Sequence, residues 1–510
     1  MGDFKDRYDL VVIGAGMGGL TCGGLLAKEG LSVLVVEQHV KPGGYCTSFE
    51  RKGFAFDLGF DFLTGCEEGG VIARTINELS LGHEIEFIKL NSVGRLIGRD
   101  HDIRVTSLKG AGEELKRRFP AESKNVDAFV TECKALSAEI GPLLQAVPDL
   151  MSFKQKIEFV MKFLVKCPRF RKYGMKPSGK VASRFFKDPK LNVILLTPIV
   201  DFAPGMTAVM LLECLAESDR AYYPRRGGAQ ALANLFAKGL TNHGGELALK
   251  TRVNKILIDD GKATGVELAD GHRIRSDYVI SNADARQTFL KLVGQEYLRP
   301  KFVRELSESR LTPSAFLVSL GVDIDLGTMG FDGALISYCP NYDLNKLFGS
   351  DPENCRIGIK MHSLLDPAQA PVGMHTVQLL AELPHDYMDY WRREKDGTRG
   401  KQYKELKESI ANKLIASVEK IIPGLSEHIV YRDIATPLTF ERFTSNSCGA
   451  MAGWYPAPVA KIRRQRTPIK NLFQAGHWTF PGGTVAFAIQ SGRNAAQMVL
   501  RDYTSSMTTN

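Results

Sequence analysis

Gly14, Gly16 and Gly19 sit in the run Gly14-Ala15-Gly16-Met17-Gly18-Gly19, and Glu37 follows 18 residues beyond Gly19. These residue types at this spacing bind a diphosphate and a ribose. Gly14 permits a tight turn, Gly16 lets the backbone approach a pyrophosphate, and Gly19 lets a helix pack closely on a strand. A carboxylate at position 37 accepts hydrogen bonds from a ribose hydroxyl and repels a 2′-phosphate. The chemistry requires elements that hold it. Tyr8-Asp9-Leu10-Val11-Val12-Ile13 reads as a buried parallel strand, residues 20–29 as a helix, and Ser32-Val33-Leu34-Val35-Val36 as a second strand ending at Glu37. The helix N-terminus, around Met17 and Gly18, then offers unpaired N–H groups and a positive dipole end to the phosphates. A glycine turn without a ligand is the alternative, but the complete strand–turn–helix–strand–acid unit predicts dinucleotide binding.

The following stretch indicates which dinucleotide. Lys41-Pro42-Gly43-Gly44 and Gly53-Phe54-Ala55-Phe56-Asp57-Leu58-Gly59 come next, and Tyr223-Pro224-Arg225-Arg226-Gly227-Gly228 lies mid-chain. Near the end stand Asn471-Leu472-Phe473-Gln474-Ala475-Gly476, Pro481-Gly482-Gly483, Ser491-Gly492 and Ala495-Ala496. In type and order these motifs resemble the flavin-binding superfamily of phytoene desaturases, carotenoid isomerases and retinol saturases. The resemblance touches both ends and the middle, while the long segments between match loosely. It implies FAD, with Gly43 and Gly44 leading the chain toward the flavin and the strand at Val253 beside the adenine. It also implies that Gly476, Gly483, Thr484 and Val485 form a turn at the isoalloxazine ring. There the amides near Val485 and Ala486 would face negative charge on the reduced flavin, which a helix N-terminus stabilises. An ordinary strand–helix turn is the alternative. Two positions depart from the family pattern: His477 stands where Asp is frequent, and Tyr45 where Arg is frequent.

The remaining composition narrows the class. The chain has 510 residues, 44% hydrophobic and 24% charged, which suits two domains rather than one core. No apolar run reaches the ~20 residues that a membrane span needs. The polar start Met1-Gly2-Asp3-Phe4-Lys5-Asp6, directly before a core strand, reads as neither signal peptide nor myristoylation site. Nine scattered cysteines without a C-x-x-C pair point to free thiols in a reducing cytoplasm and to no metal site. Between residues 151 and 190, twelve Lys or Arg face two acidic residues, although the whole chain carries only +9. Phe153, Ile157, Val160, Met161 and Leu164 recur there at helical spacing. Two readings stand: a basic amphipathic helix peripheral on an anionic membrane, or a solvated helix packed on its own domain. Without a recognition module, nucleic-acid binding is not expected.

The elements predict an α/β fold: a Rossmann-type FAD-binding domain with a discontinuous α+β substrate domain, as in amine oxidases and GDP-dissociation inhibitors. The flavin domain takes residues 5–78, 226–292 and 463–505. Within it fall a helix over 229–240, strands at 252–258 and 263–268 joined by an Asp259-Asp260-Gly261 turn, a strand at 278–283, a strand at 472–475, and a helix over 484–500. Insertions 79–225 and 293–462 build the substrate domain, with period-2 strands at 315–320 and 376–380 and a helix over 402–421 ending before Pro423-Gly424. A sheet with helices on one face would wall an apolar tunnel.

The resemblance implies an oxidoreductase acting on C–C bonds of a long apolar isoprenoid or polyene, by hydride transfer at flavin N5. Desaturation, saturation and cis–trans isomerisation all remain open. No catalytic dyad stands out, as expected where the cofactor carries the chemistry. Asp61, between Phe60 and Phe62, is the candidate acid/base, on the argument that aromatic neighbours desolvate it; a capping or turn role is the alternative. Trp454-Tyr455 and Phe440-Glu441-Arg442-Phe443 are candidates for the ring face or for core. With one dinucleotide fingerprint, the electron partner would be a quinone, oxygen or a redox protein. Two other functions share the fold: a flavin amine oxidase, and a non-catalytic prenyl-lipid escort, which has no need of Gly14, Gly16, Gly19 and Glu37 together.

Overall fold

Leu10, Val11 and Val12 are fully buried, as a parallel strand covered by helices on both faces must be. Their strand, β1 (Arg7–Ile13), pairs in parallel with β2 (Val33–Val36) on one side and with the strand Arg273–Ser281 on the other. The structure is a computed structural model. It describes residues 4–508 except 60, 93, 174–175, 197–219, 384, 386–389, 393, 395–396 and 456–463, and not the side chains of 140 and 142–145.

Two seven-stranded sheets organise the chain. In the first, the order runs Val253–Asp259, Lys262–Leu268, Arg273–Ser281, β1, β2, Glu246–Ala248, and Leu472–Gln474 joins the second half of Arg273–Ser281 in parallel. The Asp259-Asp260-Gly261 turn forms, with φ of 43° at Asp260 and 69° at Gly261, the pair of positive values a tight hairpin requires. Helix α1 (Met17–Lys28) packs between this sheet, the helix Gly228–Asn242 and the last helix, Val485–Met507. The last helix continues beyond residue 500, where the sequence reading ended it, and Arg466 clamps its final turns through Asp502 at 2.6 Å. The first and last helices cross backbone to backbone: a Cβ on Gly492 would stand 2.3 Å from the Gly18 carbonyl oxygen.

The second sheet runs Ile429–Ala435, Ser314–Val322, His375–Leu383, Ile357–Lys360, Leu335–Cys339, Gly94–Gly98, Asp102–Val105. The period-2 expectation for 315–320 and 376–380 is corrected, because every residue of Ser314–Val322 and residues 376–381 of His375–Leu383 are buried. On one face Phe316, Val318, Leu320 and Val322 pack with Ile410, Leu414 and Val418 of the helix Lys401–Val418. On the other, Ala315 and Leu317 meet Tyr45, Leu58 and Phe440. Both faces are therefore covered, one by a helix and one by segments reaching over from the cofactor side. A third layer of helices between Leu108 and Leu196, of which Ser123–Gln145 is the longest, has its own core, into which Phe62 packs. Among the described residues, no helix is long and apolar enough to cross a membrane.

Candidate cofactor and substrate site

The glycines singled out by spacing converge on one residue that spacing did not single out, Asn282. It follows the strand Arg273–Ser281, and its amide N–H donates to the Ile13 carbonyl at 2.8 Å. Its side-chain Nδ2 donates to the Gly14 carbonyl at 3.3 Å. A Cβ on Gly16 would stand 2.6 Å from Asn282 Nδ2, and one on Gly18 would stand 2.6 Å from Gly476 N and 2.7 Å from Asn282 Oδ1. One on Gly476 would stand 2.3 Å from the same oxygen. The glycines thus let the start and the end of the chain close around one amide. The sequence signal was available, as an Asn ending a strand parallel to β1, but nothing marked it apart from the strand.

The donors that remain suit an anionic dinucleotide. Gly16 caps α1 without a side-chain bond, and Leu20 N is the first amide to bond back, to Gly16 O at 3.0 Å, so the first-turn amides of Met17, Gly18 and Gly19 are left for a ligand. Gly43 N donates to Ala15 O at 2.8 Å, and Gly44, with φ of 63°, brings its Cβ position within 3.5 Å of Gly16 Cα. Glu37 is buried; Oε2 accepts from Ala15 N at 2.8 Å and Oε1 from His39 N at 2.9 Å. Each oxygen keeps a second lone pair, so the carboxylate holds the loop and still fits a ribose. Thr251 N donates to the Glu37 carbonyl at 2.8 Å, which sets Val253 at the same end of the sheet.

At the last helix, the Thr484 hydroxyl accepts from Phe487 N at 3.2 Å, and Ala488 N bonds Thr484 O at 2.8 Å. The amides of Val485 and Ala486 are the first-turn donors left over. Gly483, at φ of 84°, has open space where a Cβ would be. Ser491 braces the turn by accepting from Gly476 N at 3.0 Å. A glycine cradle at one helix start and two free amides at another fit FAD at its diphosphate and ring ends.

The two departures from the family pattern are neighbours. The Tyr45 and His477 rings meet edge to face with centroids 6.1 Å apart. Tyr45 donates its hydroxyl to the Gly449 and Ala450 carbonyls at 3.2 and 3.1 Å, and burial pushes its phenol up to about 12. Burial pushes the His477 imidazole down to about 4, and its Nε2 has no partner among the described residues. Since His477 binds its proton less readily folded than unfolded, its contribution to stability is complete above pH ~6.5 and is lost as pH falls toward 4. Thermal melts should therefore show wild type losing several degrees more than His477→Asn between pH 7 and 4.5; parallel curves would disprove the assignment.

The Asp61 carboxylate lies against a cation, with Oδ1 3.3 Å from Lys360 Nζ. Phe62 turns away into the helical layer, and Phe60 lies outside the described residues. Lys360, itself buried, ends the strand Ile357–Lys360 of the second sheet. Next to it, His362 donates from Nε2 to the Asp61 carbonyl at 3.1 Å and places Nδ1 3.5 Å from Asp57 Oδ2. Lys360 and His362 stand in an insertion without a motif and were not foreseen. Trp454 belongs to the core, packed on Trp478 with centroids 5.0 Å apart. Phe443 stacks on His39, and Phe440 faces Tyr45.

The flavin containing amine oxidoreductase family matches residues 17–318 and 358–500. The chloroplastic prolycopene isomerase 1 of an Oncidium hybrid cultivar is 29% identical, over 98% of this chain and 84% of its own length. The all-trans-retinol 13,14-reductase of Danio rerio is 27% identical, over 92% of this chain and 82% of its own length. The solved structure of an oxidoreductase from Methanosarcina mazei has the same fold, with a TM-score of 0.64 at 18% identity, covering 96% of this chain and all of that one. The chain therefore belongs to the flavin containing amine oxidoreductase family, as an FAD-dependent enzyme of the carotenoid isomerase and retinol saturase type.

Proposed function

We propose that the protein moves a hydride between the flavin and a C–C unit of a long apolar polyene or isoprenoid. The observation that carries this reading is the apolar packing of Ala315, Leu317, Leu380 and Phe440 against Tyr45 and Leu58 on the cofactor side. These side chains carry no charge that would pair with an amine, and a hydrocarbon entering between the sheet and the cofactor loop would meet apolar walls. The names of the relatives, an isomerase of a polyene and a reductase of another, support the same substrate class.

FAD, when bound, supplies the two-electron carrier. The chain's own residues do the rest. Gly14, Gly16, Gly19 and Gly44 admit the diphosphate. The amides of Val485 and Ala486 stabilise negative charge at the ring. The apolar face orients the substrate. Asp61, with Lys360 fixing Oδ1 at 3.3 Å, is the group we assign to hold the proton that leaves or joins the neighbouring carbon. Quinone, oxygen or a redox protein would exchange the electrons in a net oxidation or reduction, and an isomerisation would need none.

The test incubates flavin-loaded protein, oxidised and then reduced under anaerobic conditions, with a poly-cis carotene and with a retinoid in micelles, and separates the products by chromatography. A change of geometry or of saturation is expected. Release of hydrogen peroxide with a primary amine in air, and no change in any polyene, would establish the amine oxidase reading instead. Asp61→Asn should lower kcat by about 100-fold, the lower range for a positioned acid or base, with KM little changed; an unchanged kcat would return Asp61 to a turn role.

A further inference from the structure

The helix Phe153–Lys166 is well made and poorly buried. Its N-terminus carries a complete capping box: Gln155 N donates to Ser152 Oγ at 3.2 Å, and Ser152 N donates to Gln155 Oε1 at 2.8 Å. Such a start stabilises a helix in its own right. Yet no residue of the helix is buried. Of twelve large apolar side chains exposed among the described residues, six lie here: Phe153, Ile157, Val160, Met161, Leu164 and Val165, between 45% and 81% exposed. Their spacing of three and four places them on one face. Apolar residues scattered singly over a surface need no explanation, whereas a contiguous face does. The helix rests on the body by other residues, through Phe163, whose ring meets Phe170 at 5.2 Å.

The charge around this face selects its partner. Lys154, Lys156, Lys162 and Lys166 are exposed and make no ion pair among the described residues. Glu158 is the only acid in the helix. A second copy of the chain, meeting this one about a two-fold axis, would bring the same patch against itself and oppose lysine to lysine. An anionic bilayer accepts both features at once, the apolar face at the acyl boundary and the lysine heads among the headgroups. We infer that Phe153–Lys166 docks the enzyme on an anionic lipid surface, with Phe153, Ile157, Met161, Leu164 and Val165 inserted. The inference stands on this exposed face and goes beyond the reading of the reaction. It gives the proposed apolar substrate a place to enter, because the helical layer that carries the face has Phe62, the neighbour of Asp61, packed into its core.

The experiment sediments flavin-loaded, full-length protein with vesicles of phosphatidylcholine alone and with phosphatidylglycerol mixed in, at low and high salt. Wild type should bind the anionic vesicles at least about tenfold more tightly than the neutral ones, with the preference reduced by salt. Ile157→Asn combined with Leu164→Asn should abolish sedimentation, and Lys154→Glu combined with Lys162→Glu should abolish the preference for anionic lipid. All four positions are exposed, so flavin content and melting temperature should stay at wild-type values. Wild type remaining in the supernatant, or variants sedimenting undiminished, overturns the inference. A dimer in light scattering that the asparagine variant dissolves would assign the face to a second copy and overturn it equally. Binding is read without turnover, so its failure is distinct from failure of the proposed reaction.

Discussion

Gly19→Ala should give a folded protein that is purified without its flavin. The added methyl would stand 2.2 Å from the Gly14 carbonyl oxygen, 3.1 Å from Asn282 Cβ and 3.2 Å from Val12 Cγ1. The carbonyl has little freedom to retreat. Gly14 N donates to Val36 O at 2.7 Å, Asn282 Nδ2 holds Gly14 O at 3.3 Å, and Gly14 sits at a φ of 94° that suits glycine. Relief must come from widening the loop, which moves the amides of Met17 and Gly18 off the phosphate. Overpacking of this kind costs about 1–3 kcal/mol. Falling on the binding loop, that is about 5- to 150-fold in affinity for FAD. The ratio of flavin absorbance to protein and a titration of the apoprotein with FAD measure it. Gly23→Ala is the control. Its methyl meets Val35 Cγ2 at 2.9 Å and Leu240 Cδ1 at 3.4 Å, both ends of side chains that can turn aside. It crowds the same helix without touching the loop and should keep its flavin. Equal retention of FAD by both variants would mean that the loop does not carry the diphosphate.

This contrast also marks what was legible in the sequence. Gly14, Gly16, Gly19 and Glu37 were legible because a dinucleotide fold imposes local demands, a positive φ or a missing Cβ, that few residues satisfy. The hairpin at Asp260-Gly261 was legible for the same reason. Asn282 was not, since its role depends on three segments far apart in the chain meeting its side chain. Lys360 and His362 were hidden likewise: a buried cation is defined by its partner, and Asp61 lies 301 residues before His362 in the chain. Ser314–Val322 was read as half-buried because its outer partners, Tyr45 and Phe440, come from other parts of the chain. The meaning of the Phe54–Gly59 and Tyr223–Gly228 motifs was visible only as resemblance. The structure gives it a physical form, since the two motifs bind each other.

That bond makes Asp57→Ala the most damaging single change expected for the fold. Asp57 is fully buried. Its carboxylate accepts from the Tyr223 hydroxyl, the Ser48 hydroxyl and, at 3.0 Å, from Ala229 N at the start of the helix Gly228–Asn242. Burial alone would raise its pKa, but the bonds from His362, Ser48 and Tyr223 outweigh it and hold the carboxyl below its ordinary value. Alanine strands these donors in the interior at about 1–3 kcal/mol each, and removal of one partner from a buried charged cluster costs about 3–5 kcal/mol in all. Denaturant titration measures the loss. Asp57→Asn keeps one acceptor oxygen and should lie between alanine and wild type. The sign with pH is fixed by the same bonds. With the folded pKa below the unfolded one, the contribution is fully present above pH ~4 and disappears as pH falls through the folded value, so wild type and Asp57→Ala should converge in stability only in strong acid. A loss below about 1 kcal/mol at pH 7 would mean that water replaces the carboxylate. Because Tyr223 also accepts from Gln369 Nε2, and His362 and Gln369 both belong to the second sheet's side of the molecule, the damage would not stay within the flavin domain. The Tyr223 and His362 rings meet at a tilt with centroids 4.6 Å apart, and His362 reaches the Asp61 carbonyl. The carboxylate that holds the early motif to the middle one therefore also bears, through His362, on the position of Asp61, and under the proposed role of Asp61 a variant that survives the loss of stability should still lose turnover.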